Sequence, residues 1–176
     1  DLEKIIIIMD LIIIGAGAFA KTVADVAKQT GKYEKINFLD DNKIGTDIIG
    51  KCSDFQKFIK VGVQLFPAIG NNQIRLDWLK KLEMNNAEIV TLIHPTAYIS
   101  PTASVGKGTV ILPKAVINTN CQIGNACIIN CGAIIDHDCV IEDGVHICLG
   151  AIVKGENTIS LCNKIEAGEV IQRGHF

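Results

Sequence analysis

The chain has 176 residues, 48% of them hydrophobic and 20% charged, a composition that excludes disorder and supplies one ordinary core or two small ones sharing an interface. Its formal net charge is −2 and its Lys and Arg residues are scattered, so no basic footprint for nucleic acid or an anionic membrane is present. The apolar run Ile5 to Ile14 is broken by Asp10 and falls well short of the roughly twenty residues of a spanning helix. DLEK ahead of it lacks the positive flank of an export signal, so the run reads as a buried parallel strand. Met9 heads MDLIIIGAG like a natural start, and residues 1–8 are expected to be an extension outside the fold.

The first half alternates strand and helix. IIIGAGAFAKTVADVAKQTG is a continuous apolar run, a glycine turn and an amphipathic segment, Lys21 to Gln29, stopped by Gly31. Lys35 to Asp41 (KINFLDD) reads as a second strand ending in two acids, and Phe55 to Ile59 as a short helix. A third strand is expected over Val63 to Gly70, followed by a helix with apolar spacing at Ile74, Trp78, Leu79 and Leu82. This order predicts a small three-layer α/β unit with a parallel sheet over residues 9–90.

The second half obeys a different period. Every sixth residue from Ile93 to Ile171 is Ile or Val, fourteen positions without exception. Position i−2 of each repeat is nearly always small, and i−2 and i lie on one face of a strand. Positions i+1 and i+2 must then turn the chain, and Gly106, Asn118, Gly124, Asn130 and Asp136 at i+1 suit a turn. Short strands joined by tight corners build a parallel β-helix, expected over residues 91–176. Its outward residues Val110, Val116, Ile128, Ile134, Val140 and Ile152 leave flat apolar faces that favour self-association. The period also accounts for Cys121, Cys127 and Cys139, which replace the small residue of their repeats. With seven cysteines and no C-x-x-C pair, reduced structural thiols in a cytoplasmic protein are expected, and neither disulfides nor a metal centre.

The hexapeptide register resembles that of the left-handed β-helix acyltransferases. Together with IIIGAGAFAK, FLDD, AIGNNQIR, LIHPTAYISPTA and INCGAIIDHDCVIEDGVHI it resembles the NeuD/PglD-type sugar acetyltransferases, over Asp10 to about Thr158. The resemblance implies a Rossmann-like N-terminal domain followed by a left-handed parallel β-helix. It also implies a homotrimer, with acetyl-CoA along the β-helix between subunits and a sugar substrate held by the N-terminal domain.

Of the four histidines, His94 in I-H-P-T reads as a turn-fixing residue and His175 as uninvolved. His137 occupies a corner between Asp136 and Asp138, where an imidazole held by a carboxylate suits the base that acyl transfer requires. Strand alternation does not say which flanking acid faces the ring; the resemblance makes His137 the base and Asp138 its support. By the same resemblance His146, Gly150 and Lys154 contact acetyl-CoA. Backbone N–H groups around Asn130 to Gly132, or Cys148 to Gly150, are positional candidates to stabilise the acyl oxygen.

GAGAFA is an incomplete G-x-G-x-x-G, with Ala20 at the last glycine position, but a strand before and a helix after it offer N–H groups to a diphosphate. Asp40 can accept from a ribose hydroxyl. A nicotinamide cofactor is the rival, yet about 80 residues are too few for a dinucleotide fold plus a substrate domain. The resemblance places a nucleotide-linked amino sugar on Gly17, Ala18, Phe19, Asp40, Asp41 and Gly70. Asn71, Asn72 and Arg75 follow as phosphate or base contacts, with helix capping an equal reading for the asparagines.

Two departures stand out: Phe19 replaces a histidine common in the family, and ENTISLCNKIEAGEVIQRGHF replaces its extra coils and glycine-rich close. CoA contacts from those coils are then shortened, supplied by a neighbour, or missing. Three functions follow: N-acetylation of a nucleotide-linked amino sugar, O-acetylation of a sialic-acid-like sugar, or non-catalytic sugar-nucleotide binding.

Overall fold

The computed structural model describes residues 9–174, so the apolar residues ahead of Met9 and His175 lie outside the described residues. Four parallel strands, β1 (Met9–Ile14), β2 (Tyr33–Leu39), β3 (Ile48–Gly50) and β4 (Val63–Pro67), lie in the order β3-β2-β1-β4. Leu11, Ile12, Ile13 and Ile14 are all buried because both faces of β1 are covered. Helix α1 (Ala18–Thr30) packs on the side of Leu11 and Ile13, and ends at Gly31, whose φ of 67° suits glycine. Ile12 and Ile14 pack on the other side with Phe55 of a 3-10 segment, Cys52–Phe58, and Leu82 of helix α2 (Asn72–Met84). The expected short helix is thus earlier and tighter than Phe55 to Ile59. Strand β3 is not foreseen by the sequence pattern: three residues are too few for alternation to register.

Fourteen two-residue strands follow, from β5 (Leu92–Ile93) to β18 (Val170–Ile171), each ending on a period-six aliphatic. They form three parallel sheets in which residues eighteen apart are neighbours, as Gln122 is to Val140 and Ile134 to Ile152. The first face points Leu92, Val110, Ile128, His146 and Lys164 outward. The second points Tyr98, Val116, Ile134, Ile152 and Val170, and the third Ser104, Gln122, Val140 and Thr158.

Three sequence expectations change. From Ile111 to Ile171 every register aliphatic is buried, but Ile93 is 39% exposed and Ile99 and Val105 are half-buried, because no coil covers the first one. The left-handed corner residue is i+3 rather than i+1: twelve successive corners, Gly108 to Gly174, have positive φ. Six are glycine and the others include Asn120 and Asp138, types that tolerate this conformation. Gly106 and Gly124 at i+1 serve close approach instead, since a Cβ there would lie within 2.6 Å of Asn125 Oδ1 and 2.5 Å of Asp143 Oδ1 in the next coil. Finally, Val110 and Ile128 are not free apolar surface. They are buried against α1, which lies between its own sheet and the first face.

Two further contacts seat the N-terminal unit. His94 accepts from Thr96 N–H at Nδ1 (3.1 Å) and meets Gln29 Oε1, near the end of α1, at Nε2 (2.9 Å). Leu76 and Leu79 of α2 pack on Ala126 at the corner between the third and first faces.

Candidate active site

His137 stands at the corner between the second and third faces, with 43% of its side chain exposed. Asp138 Oδ2 lies 2.8 Å from His137 Nδ1, whereas Asp136 Oδ2 is 3.8 Å from Nε2. The positive φ of Asp138 (57°) folds the corner there, and Asn120 Nδ2 of the preceding coil donates to Asp138 Oδ1 at 3.0 Å. Asn118 Nδ2 likewise donates to Asp136 Oδ1 at 3.3 Å. The hydrogen bond to Asp138, with the charges of Asp136 and Glu156, raises the His137 pKa above 6.5. Asp138 is lowered by the same bond and by Asn120. With the proton on Nδ1 facing Asp138, Nε2 is the free basic nitrogen. One coil on, a Cβ on Gly155 would sit 2.7 Å from Nε2, so the ring lies over that glycine. Among the described residues the Gly155 N–H has no partner. Sequence reading singled out neither Gly155 nor Asn120; both lie eighteen residues or one coil from this corner, a relation readable once the pitch is known.

The second constellation lies at the carboxyl ends of β1 and β4, where the chain leaves β1 for α1 on one side of the sheet and β4 for α2 on the other, the place where open α/β sheets bind ligands. Gly17 is the N-cap of α1 and no side chain caps the helix. A Cβ on Gly17 or Gly70 would meet nothing within 4 Å, so the first N–H groups of α1 face open space. Ala18 is exposed and Phe19 half-buried against the same core as Ile128 and Cys131. Asp40 braces the turn: Oδ2 accepts from Ala16 N–H at 2.8 Å, and Oδ1 from Asn42 and Lys43 N–H at 3.0 and 2.9 Å. Partial burial raises its pKa, but these three bonds outweigh that and lower it. Asp41 accepts from Cys52 N–H at 3.0 Å. A cavity of about 280 Å³ opens beside Ala16, Lys21, Lys43 and Ile48, and a second of about 460 Å³ beside Asp40, Asp41 and Lys51.

Arg75 is elsewhere than expected. It is fully buried, and its fork donates to Ala126 O (2.7 Å), Gly144 O (2.8 Å), Asn72 Oδ1 (2.9 Å), Ile69 O (3.0 Å) and Gly70 O (3.2 Å). No donor is left for a phosphate; Arg75 ties the Gly70 loop to two β-helix corners. Asn71 caps α2 by accepting from Ile74 N–H at 3.0 Å, and Asn72 donates to Cys162 O at 2.9 Å.

The residues expected around acetyl-CoA are spread over the prism. His146 is half-buried on the first face, where Asn130 Nδ2 is 3.1 Å from its Nε2. Gly150 turns the corner between the first and second faces (φ 63°). Lys154 shares the His137 corner one coil on, and bonds Gln172 Oε1 at 2.6 Å. The N–H groups of Asn130, Cys131 and Gly132 are all spent, on Ile147 O, Asn130 Oδ1 and Pro113 O. Those of Cys148 and Gly150 are spent on Ile165 O and Cys131 O, so these positions, Leu149 apart, do not supply the acyl-oxygen donors expected there.

The His137 corner is the vertex opposite the first face, and the N-terminal unit sits on that first face. One chain therefore places its base and its glycine turn on opposite sides of the prism.

Residues 10–82 match the PglD N-terminal domain family. The UDP-N-acetylbacillosamine N-acetyltransferase of Bacillus subtilis (strain 168) is 32% identical over 108 residues, 56% of this chain and 49% of that protein. The acetyltransferase domain of PglB from Neisseria gonorrhoeae FA1090, in complex with acetyl coenzyme A, aligns with a TM-score of 0.89 at 33% identity, over 93% of this chain and 82% of that one. The chain belongs to the NeuD/PglD-type sugar acetyltransferases. Its prism is accordingly the left-handed β-helix of that family. A histidine-to-alanine variant of GDP-perosamine N-acetyl transferase from Caulobacter crescentus, in complex with CoA and GDP-perosamine, aligns with a TM-score of 0.79 at 27% identity, over 93% of this chain and 89% of that one. The chain spans about half the length, or less, of the curated relatives it matches. Among the described residues no helix is long and apolar enough to cross a membrane.

Proposed function

We propose that this chain is an N-acetyltransferase that moves an acetyl group from acetyl-CoA to the amine of a nucleotide-linked sugar, with His137 as general base. The carrying observation is the Asp138–His137 pair at 2.8 Å, which leaves Nε2 accessible at an open corner. The bound ligands of the PglB domain and of the perosamine enzyme support the chemical class. Acetyl-CoA, when bound, supplies the activated acyl thioester, and its donor set fits this chain: Lys154 beside His137, with Gly150 and His146 on the adjoining surfaces. His137 Nε2 takes the proton of the attacking amine and returns it to the departing thiolate sulfur, so that the new C–N bond replaces the thioester C–S bond; Asp138 holds the imidazolium in between, and the free Gly155 N–H donates to the acyl oxygen. The uncapped start of α1 at Gly17, with Lys21 and Lys43 nearby, receives the diphosphate, and Asp40 and Asp41 border the nucleoside. Phe19 gives the sugar an apolar neighbour.

Because base and glycine turn lie on opposite sides of one prism, the working site takes one from each of two chains. We infer a homotrimer joined along the second face, where Tyr98, Ile134 and Val170 are 54%, 39% and 42% exposed. Thiol release from acetyl-CoA with UDP- and GDP-linked amino sugars tests the reaction. Turnover with a free sialic acid alone would move the reading to O-acetylation, and failure of calorimetry to detect acetyl-CoA would leave only sugar-nucleotide binding.

Two expected results arise here. Coexpressing His137→Ala chains with Gly17→Trp chains, each inactive alone, restores part of the activity, because some mixed sites carry an intact half from each. No recovery would sink the shared site. Gly155→Ala lowers turnover at least about tenfold while melting changes by a few degrees at most, since its Cβ lifts the ring away from Asp138. A normal rate in that variant would show that the ring position is not critical.

A further inference from the structure

Four inward positions one coil apart, Ala103, Cys121, Cys139 and Asn157, line the inside of the corner that carries His137. Alanine opens this column, and the other three residues carry donors. Cys121 Sγ donates to Asp136 O at 2.9 Å and Cys139 Sγ to Lys154 O at 3.2 Å, each reaching the coil beyond its own. Asn157 Nδ2 donates to Lys154 O of its own corner at 2.8 Å and to Gln172 O one coil on at 3.0 Å. The Asn157 amide cannot be reversed, since Oδ1 would then oppose two carbonyl oxygens. As it stands, Oδ1 is the single buried side-chain polar atom without a partner among the described residues, a state that costs about 1–3 kcal/mol. An apolar residue would avoid that cost, as Ala103 does in the same column. What the asparagine adds is its pair of donors.

A trans peptide sets its C=O and N–H on opposite sides. Lys154 O accepts two bonds from inside the prism, so the N–H of the same peptide, that of Gly155, is turned outward on the side of His137. Among the described residues no backbone N–H takes Lys154 O. At the corner between the first and second faces, by contrast, Asn130 O and Cys148 O are closed by the N–H groups of Ala133 and Ala151, and the side chains there are left out. We infer that Asn157 is a positioning residue that, with Cys139, pins the Lys154–Gly155 peptide from inside the β-helix and so fixes the outward N–H offered to the acyl oxygen. Cys121 holds the Asp136–His137 peptide in the same way, so the base stands on a peptide secured by the same column. The orientation stands on geometry alone, whereas its use for the acyl oxygen rests on the proposed acetyltransferase reading.

Hydrogen exchange on the full chain, followed by nitrogen-15 spectra, tests the orientation without ligand or turnover. Gly155 N–H is expected to exchange close to the open-chain rate, while the Asn157 side-chain protons, both engaged, are slowed at least about a hundredfold. A protected Gly155 N–H, or an unprotected Asn157 amide, overturns the inference. Kinetics test the consequence. Asn157→Ala is expected to melt within a few degrees of the unsubstituted protein, because alanine already occupies this column at Ala103, and to keep Cys139 as the last donor to Lys154 O. In that background Cys139→Thr and Cys139→Val are isosteres that differ in one donor. Thr109, at the matching position of another column, shows that a hydroxyl reaches: its Oγ1 donates to Gly124 O at 2.8 Å. The threonine variant is expected to keep kcat within about threefold of Asn157→Ala, and the valine variant to lose at least about tenfold more, with KM for acetyl-CoA unchanged in both. Equal kcat in the two folded variants would refute the positioning role. No thiol release by the unsubstituted protein with any amino sugar would remove the catalytic consequence together with the acetyltransferase reading, leaving the peptide orientation to be decided by exchange.

Discussion

Replacing His137 with alanine is expected to lower kcat by about 10²–10⁴-fold and to leave both acetyl-CoA affinity and the melting temperature nearly unchanged. The ring is half-exposed, contributes to neither core, and bonds only to Asp138, so its removal deletes chemistry rather than structure. A pH profile adds a sign. The base must be unprotonated, and Asp138, Asp136 and Glu156 raise its pKa, so turnover should rise with pH along a limb centred above 6.5. In Asp138→Asn the largest of those influences disappears. The limb should then move toward 6.5, and the rate should fall as well, since an amide no longer enforces the Nδ1–H tautomer. Unaltered turnover in His137→Ala, measured by thiol release, would remove this residue from the mechanism.

The fold was legible where a period spoke for it. Fourteen aliphatics at a spacing of six locate all fourteen short strands, because each inward position tolerates so little else. What the period does not carry is which corner residue bends the chain. Asn and Gly at i+1 suit turns on composition, yet there glycine makes room for the neighbouring coil, and the positive φ falls two residues later on Lys114, Ala126 and Cys162 as readily as on glycine. The candidate site divides in the same way. His137 and its flanking acids are contiguous and could be read locally, whereas Asn120 and Gly155 reach it only through an eighteen-residue pitch. Arg75 shows the limit best. A basic residue just after a glycine turn resembles a phosphate contact, and only the packing of α2 against Ala126 reveals that its acceptors are carbonyl groups up to 69 residues away.

That burial makes Arg75→Met the substitution expected to damage stability most, by about 3–5 kcal/mol, since buried oxygens lose their donors at about 1–3 kcal/mol each. Burial lowers the guanidinium pKa to about 10, and among the described residues no carboxylate offsets its charge. The cost of burying it is offset by five oxygens that would otherwise be left without donors, each at a penalty of about 1–3 kcal/mol. A thioether fills the volume but bonds none of them. Arg75→Lys should recover little, since a single ammonium cannot span Ala126, Gly144 and Gly70 at once. The loss should be local. Trp78, the chain's one tryptophan, lies on α2 beside Phe55, so its fluorescence reports the N-terminal unit. That signal is expected to melt earlier in Arg75→Met, while the circular dichroism of the β-helix, whose interior contains no atom of Arg75, melts close to its original temperature. Coincident shifts of both signals would mean that the two units unfold as one, and that the Arg75 joint couples their stabilities instead of merely attaching one to the other. In either case the Gly70 loop loses its tether, so KM for the nucleotide sugar should rise more than kcat falls.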